Sequence, residues 1–290
     1  MTATRLVVTA PAEDVVARDV ARALAEDIGP GDVTAALLPD APETAYLLCK
    51  EHAVVCGRPW FDACHRALDA RVEIDWRVRE GDDVEAGTVL ATLRGRTHAL
   101  LGAERASLNF LQTLCGTATT VAAHVAAVAG TGARILDTRK TLPGLRVAQK
   151  YAVAVGGGSN HRLGLYDAVM LKENHVRVAG SVTAAIAAAR LAQPTLPLIV
   201  EVEDLGELAE ALGAGCDRIL IDDFPAALRR QAVALARAAP GPRVPLEVSG
   251  GVDLAGLREI AEDGVDCISI GGLTKHLRAI DLSLKLGPAP

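Results

Sequence analysis

From Arg134 onward the chain repeats one pattern. A short apolar run stops abruptly in polar or glycine-rich sequence. A stretch rich in Ala and Leu then follows, with its apolar positions three to four apart. The runs predict strands at 134–138, 167–171, 197–202, 217–221, 245–248 and 266–270. The stretches between predict helices at 144–155, 181–192, 204–213, 225–238 and 253–263. Strands that are continuously apolar belong to a parallel sheet covered on both faces, and βα units of this length imply right-handed crossovers. In open α/β sheets and barrels alike, ligands bind at the carboxyl ends of the strands. Six such ends converging on one mouth favour a barrel. Six strands fall short of the usual eight, so the barrel is expected to be incomplete.

The first part follows a different pattern. The periodicity predicts a helix at 13–27, a strand at 43–55, a helix at 58–69, and strands at 72–78 and 88–94. Glu80-Gly81-Asp82-Asp83 is a turn signal between the last two strands. Residues 98–129 read as one long helix or two successive ones. Leu282 to Leu286 alternates too weakly to assign alone and is placed with the first domain. The expected fold class is therefore α/β. An N-terminal α/β domain covers 1–115, joined by 276–290, and a parallel α/β barrel covers 116–275.

Composition narrows the function. Half the residues are apolar but only 3% are aromatic, which suits Ala- and Leu-rich helices packed on parallel strands. A net charge of −6 argues against coating nucleic acid or a membrane surface. No apolar run approaches the roughly 20 residues that a membrane span needs. The N-terminal sequence lacks the basic start and long apolar core of a secretion signal. The six cysteines (49, 56, 64, 115, 216, 267) form no CxxC and no Cys/His cluster. Neither a zinc site nor a disulfide framework is expected, and the thiols are read as small core residues of a cytoplasmic protein.

Against this acidic background, Arg134 to Arg177 is basic. It carries Arg134, Arg139, Lys140, Arg146, Lys150, Arg162, Lys172 and Arg177, with His161 and His175, against Asp137, Asp167 and Glu173. Cations at strand ends point to a pocket for a small, multiply negative substrate; a nucleic-acid surface would spread them along a face. Arg139, Lys140, His161, Arg162 and Lys172 are the candidates, because Arg offers a planar fork to carboxylate or phosphate and Lys a compact charge. Lys150 and Arg177 read as solvated helix positions.

Glu201 and Asp222 end neighbouring apolar strands. Two carboxylates at one mouth can hold Mg²⁺, accept from sugar hydroxyls, stabilise a developing cation, or simply pair with Lys or Arg. Glu203 and Asp223 are weaker candidates, because alternation turns a neighbouring side chain away. Ser249-Gly250-Gly251 and Gly271-Gly272 follow the last two strands, where exposed backbone N–H groups favour a phosphate. Gly156 to Asn160 is another candidate for a phosphate turn, with a flexible loop presenting His161 and Arg162 as the alternative. No GxSxG or Cys/His signature surrounds Ser107 or Cys115. His52, His65, His98 and His124 read as ordinary histidines.

The run ILDTRKTLPGLRVAQKYAVAVGGGSNHRLGLYDAVMLKENHV resembles quinolinate phosphoribosyltransferases. So do EDIGPGDVTAALLP (26–39), ERASLNFLQTLCGTAT (104–119), VEVEDLGEL (200–208), ILIDDF (219–224) and LEVSGGV (246–252). The resemblance covers nearly the whole chain in order. It implies an enzyme of NAD biosynthesis that joins quinolinate to phosphoribosyl pyrophosphate, releasing pyrophosphate and CO₂ and giving nicotinate mononucleotide. It implies an N-terminal α/β sandwich domain before an incomplete α/β barrel, a cytoplasmic homodimer with a shared active site (in some members a larger assembly), and Mg²⁺. Under this resemblance Arg139, His161, Arg162 and Lys172 line the quinolinate pocket, and Lys140 lies between the two substrates. Arg105 reaches into the neighbouring subunit's site. Glu201 and Asp222 face ribose and metal, and Ser249, Gly250, Gly271 and Gly272 cradle phosphate. Glu173 stands where some members carry Asp, so its role is open.

Two other readings compete. Lys140 or Lys172 at a strand end beside glycines would also suit a Schiff-base aldolase-type barrel acting on a phosphorylated substrate. REGDDVEAGTVLATLRG looks like half of a biotinyl or lipoyl hairpin, but residues 73–94 contain no lysine to carry the group.

Overall fold

The computed structural model describes residues 8–290. The chain forms two compact units. One comprises Met1–Ala122, Thr141–Gly157 and Leu273–Pro290, the other Ala123–Lys140 and Gly158–Gly272.

The first unit begins with α1 (Glu13–Ile28), β1 (Pro42–Cys49), β2 (Ala53–Val54), α2 (Arg58–Leu68), β3 (Glu73–Trp76), β4 (Asp83–Val84), β5 (Val89–Arg96) and α3 (Thr97–Ala127). The strand expected at 43–55 breaks at Lys50-Glu51-His52. There Glu51 turns its carboxylate to the backbone N–H of Asp281 at 2.8 Å, and Val54 leaves to pair with β4. In β1 every second residue is inward, with Ala45, Leu47 and Cys49 fully buried. Those side chains pack with Phe61 of α2 and with Leu100, Leu108 and Leu111 of α3. The opposite faces of α2 and α3 are also apolar. Trp60, Cys64, Phe110 and Leu114 pack with Val16, Val20 and Leu24 of α1 in a second core. Helices with two apolar faces are interior helices. Glu80 caps α2 from a distance, accepting from the backbone N–H groups of Gly57 (3.0 Å) and Arg58 (2.7 Å).

The remaining elements are β6 (Arg134–Leu136), α4 (Arg146–Val155), β7 (Val169–Leu171), α5 (Glu173–Ala179), α6 (Val182–Ala192), β8 (Leu198–Val202), α7 (Leu205–Ala214), β9 (Arg218–Asp222), α8 (Ala226–Ala238), β10 (Leu246–Ser249), α9 (Leu257–Glu262), β11 (Cys267–Ser269), α10 (Gly272–Lys275) and β12 (Leu282–Leu286). β12 pairs antiparallel with β1, completing the first unit's sheet in the order β12-β1-β5-β3. A Cβ at Gly116 of α3 would collide with the Arg278 carbonyl, so a glycine there lets the chain into β12 lie against α3. α4 belongs to the first unit, where Ala148, Tyr151 and Ala152 join the second core. Lys150, expected on a solvated face, is buried there at 1% exposure.

The second unit is a six-stranded parallel sheet in the order β6-β11-β10-β9-β8-β7. First and last strands are neighbours, as in a barrel, yet β6 and β7 stay unpaired with each other, so closure is incomplete. The open edge of β6 is covered by a single parallel bridge from Leu136 to Ser159. α5 was not expected: its first turn, Glu173-Asn174-His175, carries no apolar periodicity. α9 is shorter than the 253–263 pattern because Asp253 turns back to accept from the Gly256 N–H at 2.8 Å.

Candidate active site

At the carboxyl ends of this sheet lies a cavity of about 280 Å³. It is lined by Thr138, Arg139, Lys140, His161, Arg162, Met170, Lys172, Glu201, Leu220, Asp222, Glu247, Ser249 and Ser269. Residues far apart in sequence meet there because most lie in or directly after parallel strands of one sheet, and His161 and Arg162 come from the loop tied to β6.

The edge of β6 supplies the first group. Ser159 donates its N–H to the Ile135 carbonyl at 2.8 Å, and Asp137 donates to the Ser159 carbonyl at 3.1 Å. The buried Asp137 carboxylate then accepts the His161 N–H at 2.8 Å. This lashes 159–161 to the strand and brings His161 and Arg162 beside Arg139 and Lys140. Arg162 donates from its guanidinium to the Ala168 carbonyl at 3.2 Å, which holds the head group from the side of β7. Burial lowers the Arg162 pKa from its ordinary value, and the nearby positive charge of Arg139 adds to the effect. Two guanidiniums held this close favour an anion between them.

Lys172, directly after β7, and Glu201, in β8, form a 2.6 Å ion pair. Asp222 ends β9 and is exposed. The next residue, Asp223, has φ 54°, the one positive φ among the described non-glycine residues, so the chain turns sharply at that mouth. Gly250 sits against it at φ +89°, where a Cβ would lie 3.3 Å from Asp222 Oδ1. A Cβ at Gly271 would lie 2.7 Å from Lys140 Cδ and 3.5 Å from Thr138 Oγ1. Ser249 lines the cavity directly, and Gly272 begins α10 without lining it.

Arg105, expected at the site, and Glu173, whose role the sequence left open, are not among the lining residues. Arg105 is exposed on α3, in the first unit. Glu173 is exposed and accepts from the Asn174 amide at 2.6 Å, outside the lining.

Glu247 was missed. It sits inside the apolar run of β10, fully buried, and faces the same cavity as Leu220, its partner in register on β9. Arg218 donates to its Oε2 at 2.9 Å. Burial raises its pKa, but its interactions with His161, Ser269 and Arg218 prevail, so the carboxyl lies below the ordinary glutamate value. A charged residue two positions before Ser249 in a buried strand was the available signal.

Chemically the cavity can bind a compact polyanion and place carboxylates beside it. No group of three or more His, Cys, Asp or Glu suited to a metal occurs among the described residues. A separate cavity of about 360 Å³ in the first unit is lined by Asp19, Glu26 and Asp27 with only Arg22 in opposition, the wrong sign for such a ligand. Lys172, engaged by a carboxylate, is a charge-pairing group rather than a free amine nucleophile.

Known proteins agree in kind. Residues 117–285 match the family model for the quinolinate phosphoribosyl transferase C-terminal domain, and residues 32–115 match the one for the N-terminal domain. The chain is 42% identical over 248 residues to the nicotinate-nucleotide pyrophosphorylase [carboxylating] of Mycobacterium leprae, covering 84% of this chain and 86% of that one. It is 41% identical over 257 residues to the human protein of the same name, covering 87% and 85%. The solved structure of the nicotinate-nucleotide pyrophosphorylase from Francisella tularensis superposes with a TM-score of 0.93 at 41% identity, covering 98% of this chain and all of that one.

Proposed function

Because the chain belongs to the quinolinate phosphoribosyl transferase family, we propose that the cationic cavity is where it joins its two substrates. The enzyme transfers the phosphoribosyl group of phosphoribosyl pyrophosphate to quinolinate with loss of CO₂, giving nicotinate mononucleotide and pyrophosphate. The observation that carries the assignment is the convergence of Arg139, Lys140, Arg162 and Lys172 with Glu201 and Asp222 on one cavity.

In our reading Arg139, Arg162 and Lys172 hold the two carboxylates of quinolinate, with His161 beside them. Ser249 and the glycine turns at 250 and 271–272 take phosphate. The pyridine nitrogen attacks the anomeric carbon as pyrophosphate leaves. Positive charge developing on the ribose is met by Asp222 and Glu201. Lys140 lies between the rings, where charge changes during transfer. Once the nitrogen is a pyridinium, the adjacent carboxylate can depart, because the carbanion left behind sits beside a cation.

Mg²⁺ fits this donor set. The ion is ordinarily held by one or two carboxylates together with substrate phosphates. Asp222 is exposed, and Glu201 lies on the neighbouring strand. When bound, the ion would offset charge on the leaving pyrophosphate. The reading also includes a cytoplasmic homodimer in which the exposed Arg105 of one copy serves the cavity of the other. No helix among the described residues is long and apolar enough to cross a membrane.

The test is a comparison of quinolinate with nicotinic acid at fixed phosphoribosyl pyrophosphate. Nicotinic acid would leave cations unpaired in a site built for two carboxylates, so kcat/KM should fall at least about a hundredfold. Equal efficiency would overturn the assignment.

A further inference from the structure

A full negative charge at the floor of an anion-binding cavity needs a reason. Glu247 is 0% exposed, and a buried carboxylate is tolerated only when paired and hydrogen-bonded. Arg218 satisfies Oε2 at 2.9 Å. Oε1 faces His161 Nε2 at 3.4 Å.

The state of that histidine follows from its other nitrogen. The backbone N–H of Arg162 donates to His161 Nδ1 at 2.7 Å. Nδ1 is therefore an acceptor, and the ring proton lies on Nε2, the nitrogen at ion-pair distance from Glu247. The backbone N–H of His161 is held by Asp137. The charged groups around His161 are thus Asp137 directly after β6, Glu247 from β10, Arg218 from β9 behind it, and the adjoining Arg162. Nδ1 is thus committed within the protein, while Nε2 lies at ion-pair distance from Glu247 Oε1 on the lining of the cavity.

We propose that Glu247, anchored by Arg218, is a positioning residue: it fixes His161 as the Nε2–H tautomer and thereby holds the His161–Arg162 turn that aims the Arg162 guanidinium into the cavity. This rests on the quinolinate reading above for its consequence, though not for its geometry. It adds to the place of His161 on the cavity lining the role of a ring that orients its neighbour.

The experiment has a substrate-free arm. In protein labelled with ¹⁵N-histidine at neutral pH, the His161 signals are assigned from a His161→Asn variant. Nδ1 should fall in the unprotonated range and Nε2 in the protonated range. A proton found on Nδ1, or on both nitrogens, overturns the proposal. The kinetic arm uses Glu247→Gln, which is nearly isosteric. Its single side-chain oxygen should be claimed by Arg218, turning the amide NH₂ towards His161 and disrupting the tautomer. The expected result is about a tenfold rise in quinolinate KM. kcat should stay within about threefold, and the KM for phosphoribosyl pyrophosphate should not change. An unchanged quinolinate KM, or a loss confined to kcat, overturns the proposal. If Glu247→Gln does not fold, the wild-type spectrum still decides the tautomer. Failure of the wild-type protein to use quinolinate would strike the proposed function and leave that spectrum standing.

Discussion

Lys172 Nζ, directly after β7, and Glu201 Oε2, in β8, lie 2.6 Å apart, and the residues that precede them, Leu171 and Val200, are partners in register. The group read as a ligand for the pyridine dicarboxylate is thus already engaged by the group read as facing the ribose. A dicarboxylate entering the cavity must share Lys172 or take it from Glu201.

The two residues should therefore behave as a coupled pair. Lys172→Ala is expected to raise quinolinate KM roughly ten- to a hundredfold, the equivalent of one charge-assisted hydrogen bond. kcat should change much less. In a double-mutant cycle with Glu201→Gln, the effects on kcat/KM should fail to add by about 0.5–3 kcal/mol. Additivity in that cycle would mean that the pair does not persist in solution.

Lys140 should respond differently. An interaction that strengthens in the transition state shows in kcat. Lys140→Ala is expected to lower kcat roughly ten- to a hundredfold. Gly271 offers an independent route to the same side chain. Its backbone is open to alanine, but the added Cβ would lie 2.7 Å from Lys140 Cδ. Gly271→Ala should fold normally and lower kcat by displacing the lysine stem, with quinolinate KM little changed. Steady-state kinetics on the two variants check this, and a Gly271→Ala enzyme with wild-type kcat would show that the position of the stem is unimportant.

The strands of the second unit were legible because each is a short apolar run with a polar stop, and burial on both faces enforces that pattern. The cationic candidates were legible for the same reason, as charge at the end of an apolar run. What escaped depends on contacts that no local pattern encodes. The Lys172–Glu201 pair joins positions 29 apart in sequence. Glu247 was absorbed into the apolar run that surrounds it. Lys150 was read as solvated from its charge alone, whereas α4 packs into the first unit's core. α5 was missed because a helix that begins in Glu-Asn-His and buries no residue carries no apolar periodicity.

Arg105 gives a test of assembly. It is exposed on α3, in the first unit, while the cationic cavity lies in the second. If one copy supplies Arg105 to the cavity of another, Arg105→Ala and Lys140→Ala chains should each be nearly inactive alone. Mixed dimers should recover activity, since one hybrid site then carries both residues. Co-expression with two affinity tags isolates the mixed species. No recovery in demonstrably mixed dimers would assign each site to one chain.

The last prediction concerns acid stability and a residue outside the cavity. His65 of α2 is fully buried, packs its ring 4.8 Å from Phe61, and has Ser107 Oγ 3.3 Å from Nε2. Burial pushes its pKa down from 6.5 to about 4, because a charged imidazole there would lose its hydration. Between those two values the unfolded chain binds a proton that the folded chain refuses. Stability should therefore rise with pH across the window, and be lost as pH falls from the unfolded value through the folded one. The full effect is roughly 3 kcal/mol. Carboxylates also titrate at the acid end, so the contribution is read as a difference. Urea unfolding of the wild type and of His65→Leu at steps from about pH 7 to about pH 4 should give a gap that shifts in favour of the variant as the pH falls. Parallel curves across the window would mean that His65 accepts its proton in the folded protein as readily as in the unfolded chain.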